Sequence, residues 1–417
     1  MRIGYASLTT GVRKTNFKSC TQKNANDENL LKLIEHNLDS LDNIIDYNIE
    51  NNIRMFRISS DIIPFGSSPV NTLLWWEIFK DKLKSIGNKI KAGKIRVSMH
   101  PGQYTVLNSP SADVVYRSIL DLEYHNRFLD SLKVDKQSKI ILHVGGVYGD
   151  KESAIQRFIE NYKFLSDNVK DRLIIENDDV SYNIEEVLYI ANILKIPVVY
   201  DNLHNEIINS DLSKSDNYWI NETKKTWKKE DGPQKTHYSQ QNPIKRPGAH
   251  SETIYLNKFL KYIDNIENKN IDIMLEVKDK NLSAVKCINA THHNNIIFLE
   301  LDWSKYKYTI LEKSPKNYNK IRQLLKDKNS YSVVEFYRLI EESLFLPEDV
   351  GYTVNALEHV WGYFKKFSSD KERLQYQKLL LAYKQGTKRK QLVKNLLERL
   401  AIKYESTYLL NSYYFSI

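Results

Sequence analysis

Cysteine is nearly missing from this chain of 417 residues, which holds only Cys20 and Cys287. With no secretion signal around them, no disulfide is expected, and neither stands beside a His or Asp in a catalytic pattern. Long apolar runs are missing as well. Lys139-Ile140-Ile141-Leu142-His143-Val144 is among the longest, far short of the roughly 20 residues that a membrane helix needs. No apolar stretch follows Met1, so the expected location is cytoplasmic, without membrane contact. With 14 Gly and 10 Pro, 41% hydrophobic and 27% charged residues, the composition is that of an ordinary globular protein without a long disordered segment. A Gly-rich turn after the first strand is also absent. Tyr5-Ala6-Ser7-Leu8-Thr9-Thr10 stands there instead, which speaks against an open doubly wound sheet binding a dinucleotide.

What is present is an alternation of short β-rich runs and longer helical segments, the signature of βαβ units and a parallel sheet. The expected strands are Arg2 to Ala6, Arg54 to Ser59, Ile95 to His100, Lys139 to Val144, Arg172 to Glu176, Pro197 to Asp201, a weak one near Lys235 to Ser239, and Ile271 to Val277. Between the first two, Leu30, Ile34, Leu38, Leu41, Ile45 and Ile49 form one stripe of a helix. Eight such units predict an α/β fold, a (β/α)8 barrel of the triosephosphate isomerase type, over residues 1–295. Beyond about residue 300 only helices are expected, at Ile321 to Lys326, Val333 to Leu344, Val354 to Phe367 and Lys371 to Tyr383, then from Lys388 into an irregular tyrosine-rich end. An appended all-α domain over 301–417 follows.

The net charge of +9 is uneven along the chain. Residues 301–417 hold 21 basic and 13 acidic residues, leaving 40 and 39 for the first 300. The basic excess therefore belongs to the helical part, where it suits either a polyanion partner or a solvated lysine-rich surface.

The candidate chemistry lies at the strand ends. His100 ends the third strand, His143 lies near the end of the fourth, Glu176 ends the fifth, and Asp201 ends the sixth with His204 three residues on. His237 falls in the seventh, Glu276 in the eighth, and His250 in the loop after the seventh. In a barrel these ends converge on one face. Five of the ten His belong to this set. Carboxylates that follow runs such as Leu173-Ile174-Ile175 and Val198-Val199-Tyr200 would be costly to bury without a cation. So many ligands suggest two or three ions. Mixed imidazole and carboxylate donors suit Mn2+ or Zn2+, and hydrolysis suits clustered metals that acidify a water and neutralise a leaving oxyanion.

Five blocks carry a resemblance. They are Ser98-Met99-His100-Pro101-Gly102-Gln103-Tyr104, Leu142-His143-Val144-Gly145-Gly146-Val147-Tyr148-Gly149, Ile175-Glu176-Asn177-Asp178, Tyr200-Asp201-Asn202-Leu203-His204 and Lys245-Arg246-Pro247-Gly248-Ala249-His250. In this order, over residues 1–290, they resemble the UV damage endonucleases of the UvdE/UvsE type. The resemblance implies incision of double-stranded DNA immediately 5′ to UV photoproducts, with abasic sites as further candidates, and a manganese cluster for which Zn2+ or Mg2+ are alternatives. It places His100, His143, Glu176, Asp201, His204, His237, His250 and Glu276 on the metal ligands. It makes Lys235, Glu176 and His143 the expected catalytic set, with Lys235 matching a lysine that the family can carry in carboxylated form. Gln103 and Tyr104 match a pair that fills the gap left by displaced lesion bases, and Tyr5 matches a further DNA contact. Lys245 and Arg246 are expected on the DNA backbone, or else solvated. The loop Ala6 to Gly11 is short and lacks an Asn that the resemblance would place there.

Residues 301–417 resemble a YbgA-like helical domain of unknown function, through segments such as Leu301-Asp302-Trp303 and His359-Val360-Trp361-Gly362-Tyr363-Phe364-Lys365-Lys366. Nucleic acid or a repair protein is its expected partner, and the chain is expected to be a monomer. Three rivals stay open: an abasic-site endonuclease, a metal-dependent sugar isomerase on the same barrel, and a binding module without catalysis.

Overall fold

Seven short runs rich in apolar and β-branched residues and one polar run, Gln234 to Tyr238, form strands buried on both faces, as parallel strands between a packed interior and covering helices must be. In the computed structural model, which describes residues 1–209 and 211–417, they are β1 (Arg2–Ala6), β2 (Met55–Ile58), β3 (Arg96–Met99), β4 (Ile140–His143), β5 (Leu173–Glu176), β6 (Val198–Asp201), β7 (Gln234–Tyr238) and β8 (Ile271–Leu275). Every neighbouring pair is parallel, and β8 closes on β1. All eight expected strands are there, including the weak one, which starts at Gln234. The helix Asp27–Glu50 between β1 and β2 is N-capped by Asn26 and buries Leu30, Ile34, Leu38, Leu41 and Ile45 as its stripe predicts, with Ile44 added, while Ile49 in the last turn is only half-buried.

Because side chains alternate across a strand, the inward positions form layers. At the N-terminal ends Asp272 accepts from Arg2 and Arg96, both at 2.9 Å. Arg96 is 5% exposed and also donates to the carbonyls of Asp231, Pro233 and Gln137. Above lie the apolar contacts Ala6–Met55–Met274 and Ile141–Ile174–Val199. The C-terminal ends carry the His and acidic residues.

The chain divides into two compact units: Met1–Thr9, Arg13–Ile254 and Lys261–Val285 form the barrel, while Thr10–Val12, Tyr255–Leu260 and Lys286–Ile417 form the second. The second is helical, and its core gathers Tyr308, Leu357, Val360, Phe364, Leu397 and Tyr414. Three helix bounds differ from the sequence expectation, each because a cap sets the start. Ser314 caps Pro315–Leu324, Asp349 caps Val350–Trp361, and a Ser369–Glu372 capping box starts Asp370–Lys384. The tyrosine-rich end is not loose either, since Tyr413 and Tyr414 are buried. Among the described residues no helix is long and apolar enough to cross a membrane.

The layer at the foot of the barrel gives a stability test. Arg96→Met leaves the buried Asp272 with Arg2 as its remaining cation and three carbonyls without their donor, so urea unfolding should show a loss of about 3 kcal/mol. A loss below about 1 kcal/mol would mean that this network contributes little.

Candidate metal centre

Three apolar strands bring the first ligands to one level. On β4, β5 and β6 the runs Ile140-Ile141-Leu142, Leu173-Ile174-Ile175 and Val198-Val199-Tyr200 end at His143, Glu176 and Asp201. The parallel register sets His143 opposite Glu176 and Asp201 opposite His237. His100 follows β3, with its backbone carbonyl held by Ser60 Oγ at 2.5 Å. Glu276 follows β8, its backbone N–H on the Tyr238 carbonyl at 3.0 Å. Asp201 also caps the short helix Asn202–Ile207 by accepting from His204 N at 2.9 Å, which fixes the three-residue spacing to His204.

These side chains form three overlapping triads: His100, His143 and Glu176; Glu176, His237 and Glu276; and Glu176, Asp201 and His204. Within each triad one donor atom per residue lies within 4.8 Å of the others, and Glu176 belongs to all three. Its Oε1 is 2.8 Å from His237 Nδ1 and its Oε2 is 3.3 Å from His100 Nε2. His250 stands at the edge, with Nε2 3.8 Å from Glu276 Oε2. The structure thus brings seven of the eight expected ligands into the triads and sets the eighth beside them.

The electrostatics suit cations. Glu176 is 1% exposed, and burial alone would raise its pKa, but His237, His143 and His100 hold it well below the usual carboxylate range. Glu276 is likewise held low despite burial, chiefly by the ion pair with Arg57. Burial pushes the His143 imidazole down to about 4 and so keeps it neutral, the form in which a ring nitrogen donates its lone pair. His204 is raised to about 9, because Asp201, Glu176 and Glu276 outweigh its burial. Asp201 is itself raised by burial. His143 Nδ1, His237 Nε2 and Asp201 Oδ2 are buried without a hydrogen-bond partner. Orphaned donor atoms of this kind normally carry a cost. Divalent ions would satisfy all three, so the residues present fit a metal cluster.

Lys235 lies two residues below His237 on β7, fully buried, its Nζ without a hydrogen-bond partner. Desolvation, reinforced by Arg96 and Arg57, holds its pKa well below the usual lysine value. Gln103 and Tyr104 stand exposed on the loop after β3, Tyr104 at 69%. Lys245 and Arg246 are exposed on the loop after β7, Lys245 pairing with Glu252 at 2.7 Å and Arg246 with Asp179 at 3.9 Å. Tyr5 is a correction. Its ring is wholly buried and its hydroxyl donates to Asn48 Oδ1 at 2.9 Å on the neighbouring helix, so it presents no surface to DNA.

Two supporting residues escaped the sequence reading. Arg57 on β2 pairs with Glu276, and the signal for it is a lone cation at an inward position of a strand. Asn177 bonds Asp201 through both side-chain atoms, at 2.9 and 3.1 Å, and accepts from His204 Nδ1 on its carbonyl at 2.8 Å. It thereby orients two ligands.

Fold and site together define a barrel with a His–carboxylate cluster at the C-terminal ends of its strands. Residues 1–303 match the family model UV-endonuclease UvdE, and the chain belongs to that family. A second model, for a protein of unknown function (DUF1722), matches residues 307–417. The UV DNA damage endonuclease of Clostridium perfringens (strain 13 / Type A) is 45% identical over 388 residues, 91% of this chain and 92% of that protein. That of Bacillus cereus (strain G9842) is 34% identical over 301 residues, 69% of this chain and 94% of that protein. The crystal structure of SacUVDE is similar with a TM-score of 0.66 and 39% identity, over 70% of this chain and 97% of that one.

A carboxylate shared by three triads should matter more than any imidazole. Glu176→Gln is expected to cut Mn2+ affinity at least tenfold by calorimetry and to remove the stabilisation that Mn2+ gives against heat. Unchanged affinity and an unchanged shift would take Glu176 out of the metal site.

Proposed function

We propose that this protein is a DNA repair endonuclease that cuts duplex DNA immediately 5′ to UV photoproducts, cyclobutane dimers and 6-4 products among them, with two or three divalent ions, Mn2+ foremost. The observation that carries the reading is the set of three triads meeting at Glu176, together with membership of the UV-endonuclease UvdE family. His100, His143, Glu176, Asp201, His204, His237, His250 and Glu276 would hold such ions, whose chemistry when bound would be to acidify a water and neutralise a leaving oxyanion.

The chain's own residues do the rest. Lys245 and Arg246 take phosphates and set the register of the duplex. Gln103 and Tyr104 enter the stack where the lesion bases leave it. Glu176, common to the three triads, and His143 would hold the ions in place. Lys235, whose pKa lies well below the usual lysine value, is suited to add CO2 through its uncharged amine, forming a carbamate and releasing one proton to solvent, with Arg57 and Arg96 as cations that act on the new anion. The exposed Tyr104, Tyr148, Val180 and Ile244 on the loops of this face suit a large partner rather than an enclosed sugar.

In the helical unit the lysines are the candidate nucleic-acid surface. Of the aromatics in the block around Trp361, Phe364 is buried and Trp361 stacks on Tyr376 at 4.3 Å.

The test uses end-labelled duplexes carrying a cyclobutane dimer, an abasic site or no lesion, with Mn2+ and with EDTA. A metal-dependent cut immediately 5′ to the dimer, sparing the undamaged duplex, is the expected result. Cutting confined to abasic DNA would move the protein to the abasic-site class, and no cutting in any duplex would overturn the nuclease reading. His143→Ala should lose at least a hundredfold in rate while keeping its fold by circular dichroism.

A further inference from the structure

The loop after β7 displays one side chain that neither the metal site nor the phosphate contacts use. Gln241 and His250 pair across an isolated antiparallel bridge, and the chain between them forms a short projection. Backbone bonds close its base, Asn242 N to Ala249 O at 2.7 Å and Ser251 N to Gln240 O at 2.8 Å. The Gln241 side chain fills it, donating to Arg246 O at 3.0 Å and accepting from Gly248 N at 2.8 Å. Asn242 Oδ1 accepts from Ile244 N at 3.2 Å, and Pro243 and Pro247 stiffen the backbone on either side. At the tip stands Ile244, 89% exposed.

The loop after β5 leans on this projection. Gly248 has φ +81°, which favours glycine, and a Cβ there would lie 2.2 Å from Asp179 Oδ2, so a side chain would also displace that carboxylate. The β5 loop is itself braced by Asp178, whose carboxylate accepts from the backbone N–H groups of Val180, Ser181 and Tyr182. It presents Val180 at 75% exposure. In a closed barrel of eight strands in sequential order, β7 lies diametrically across from β3. The loop that carries Ile244 therefore springs from the strand opposite the one that leads into Gln103 and Tyr104.

A stiff loop that holds an isoleucine in water has already lost the entropy that binding would otherwise cost. The cations at the next two positions, Lys245 and Arg246, choose the partner: a polyanion that offers apolar surface between its charges. Nucleic acid does so at its sugars and base steps, and aliphatic side chains that enter a step kink the duplex. We propose that Ile244 is a second apolar wedge for duplex DNA, acting opposite Gln103 and Tyr104, so that the duplex is bent between two fixed points over the metal site. Ile244 is thus a positioning residue for damaged DNA. Selectivity follows because a photoproduct weakens stacking and makes the two-sided bend cheaper at the lesion. The inference rests on the nuclease reading given above.

The experiment compares full-length wild type with Ile244→Ser, Ile244→Leu and Lys245→Ala, in Mn2+. It measures KM and kcat for incision of a dimer duplex, inhibition by undamaged duplex, the dependence of both on salt, and the fluorescence rise of 2-aminopurine beside the dimer before the cut. Ile244→Ser should raise KM for the dimer duplex about tenfold and abolish the fluorescence rise, leaving inhibition by undamaged DNA and the salt dependence as in wild type. Ile244→Leu should behave as wild type. Lys245→Ala should weaken both duplexes alike and flatten the salt dependence. If Ile244→Ser matches wild type in KM and fluorescence while wild type cuts the dimer duplex, the wedge is overturned and the nuclease reading stands. If wild type itself neither cuts nor distorts the dimer duplex, both fall.

Discussion

A carboxylate that is 1% exposed and ringed by imidazoles is the constraint around which this barrel is arranged. Burying the charge of Glu176 would be prohibitive without compensation. The compensation comes from four strands at once: His100 after β3, His143 on β4, His237 on β7, and the β6 end with its His204. Because each partner sits on a different strand, the geometry exists only when the barrel closes. The site is therefore a property of the whole sheet, and any slip of register would scatter it.

The interior reads as a vertical sequence of environments. At the foot, Arg2, Arg96 and Asp272 balance one another with full hydrogen bonding. The apolar side chains of Met55, Met274, Ile141, Ile174 and Val199 separate that network from the mouth. Lys235 faces this zone as a buried amine with cations and carboxylates on both sides of it. At the mouth the orphaned atoms of His143, His237 and Asp201 mark where the protein alone does not complete its own bonding. The bonded Arg96–Asp272 network at the foot and the unpartnered ligand atoms at the mouth agree with the division of a barrel into a stabilising and a functional end.

Much of this was legible in the residues because a parallel barrel writes its site into the sequence as polar residues that terminate apolar runs. Glu176 after Leu173-Ile174-Ile175 and Asp201 after Val198-Val199-Tyr200 are of that kind. Pairings across long separations were not legible: nothing local in Met55-Phe56-Arg57-Ile58 says that Arg57 meets Glu276. Tyr5 shows a parity argument that was available. Gly4 and Ala6 are the small residues that fit the crowded interior, which turns Tyr5 outward to Asn48 on the helix Asp27–Glu50. In the helical unit, the starts at Pro315, Val350 and Asp370 were set by the caps Ser314, Asp349 and Ser369, whereas the apolar pattern alone begins several residues late at the first two.

Glu176 belongs to all three groups that could hold a metal ion, which suits it to be shared between ions. Crystals grown with Mn2+ and measured at the manganese absorption edge test it directly, since anomalous peaks locate the ions without assumption about ligands. Two or three peaks among the triads, at least two of them in contact with Glu176, are the predicted result. A single peak, or peaks none of which touches Glu176, would contradict the account.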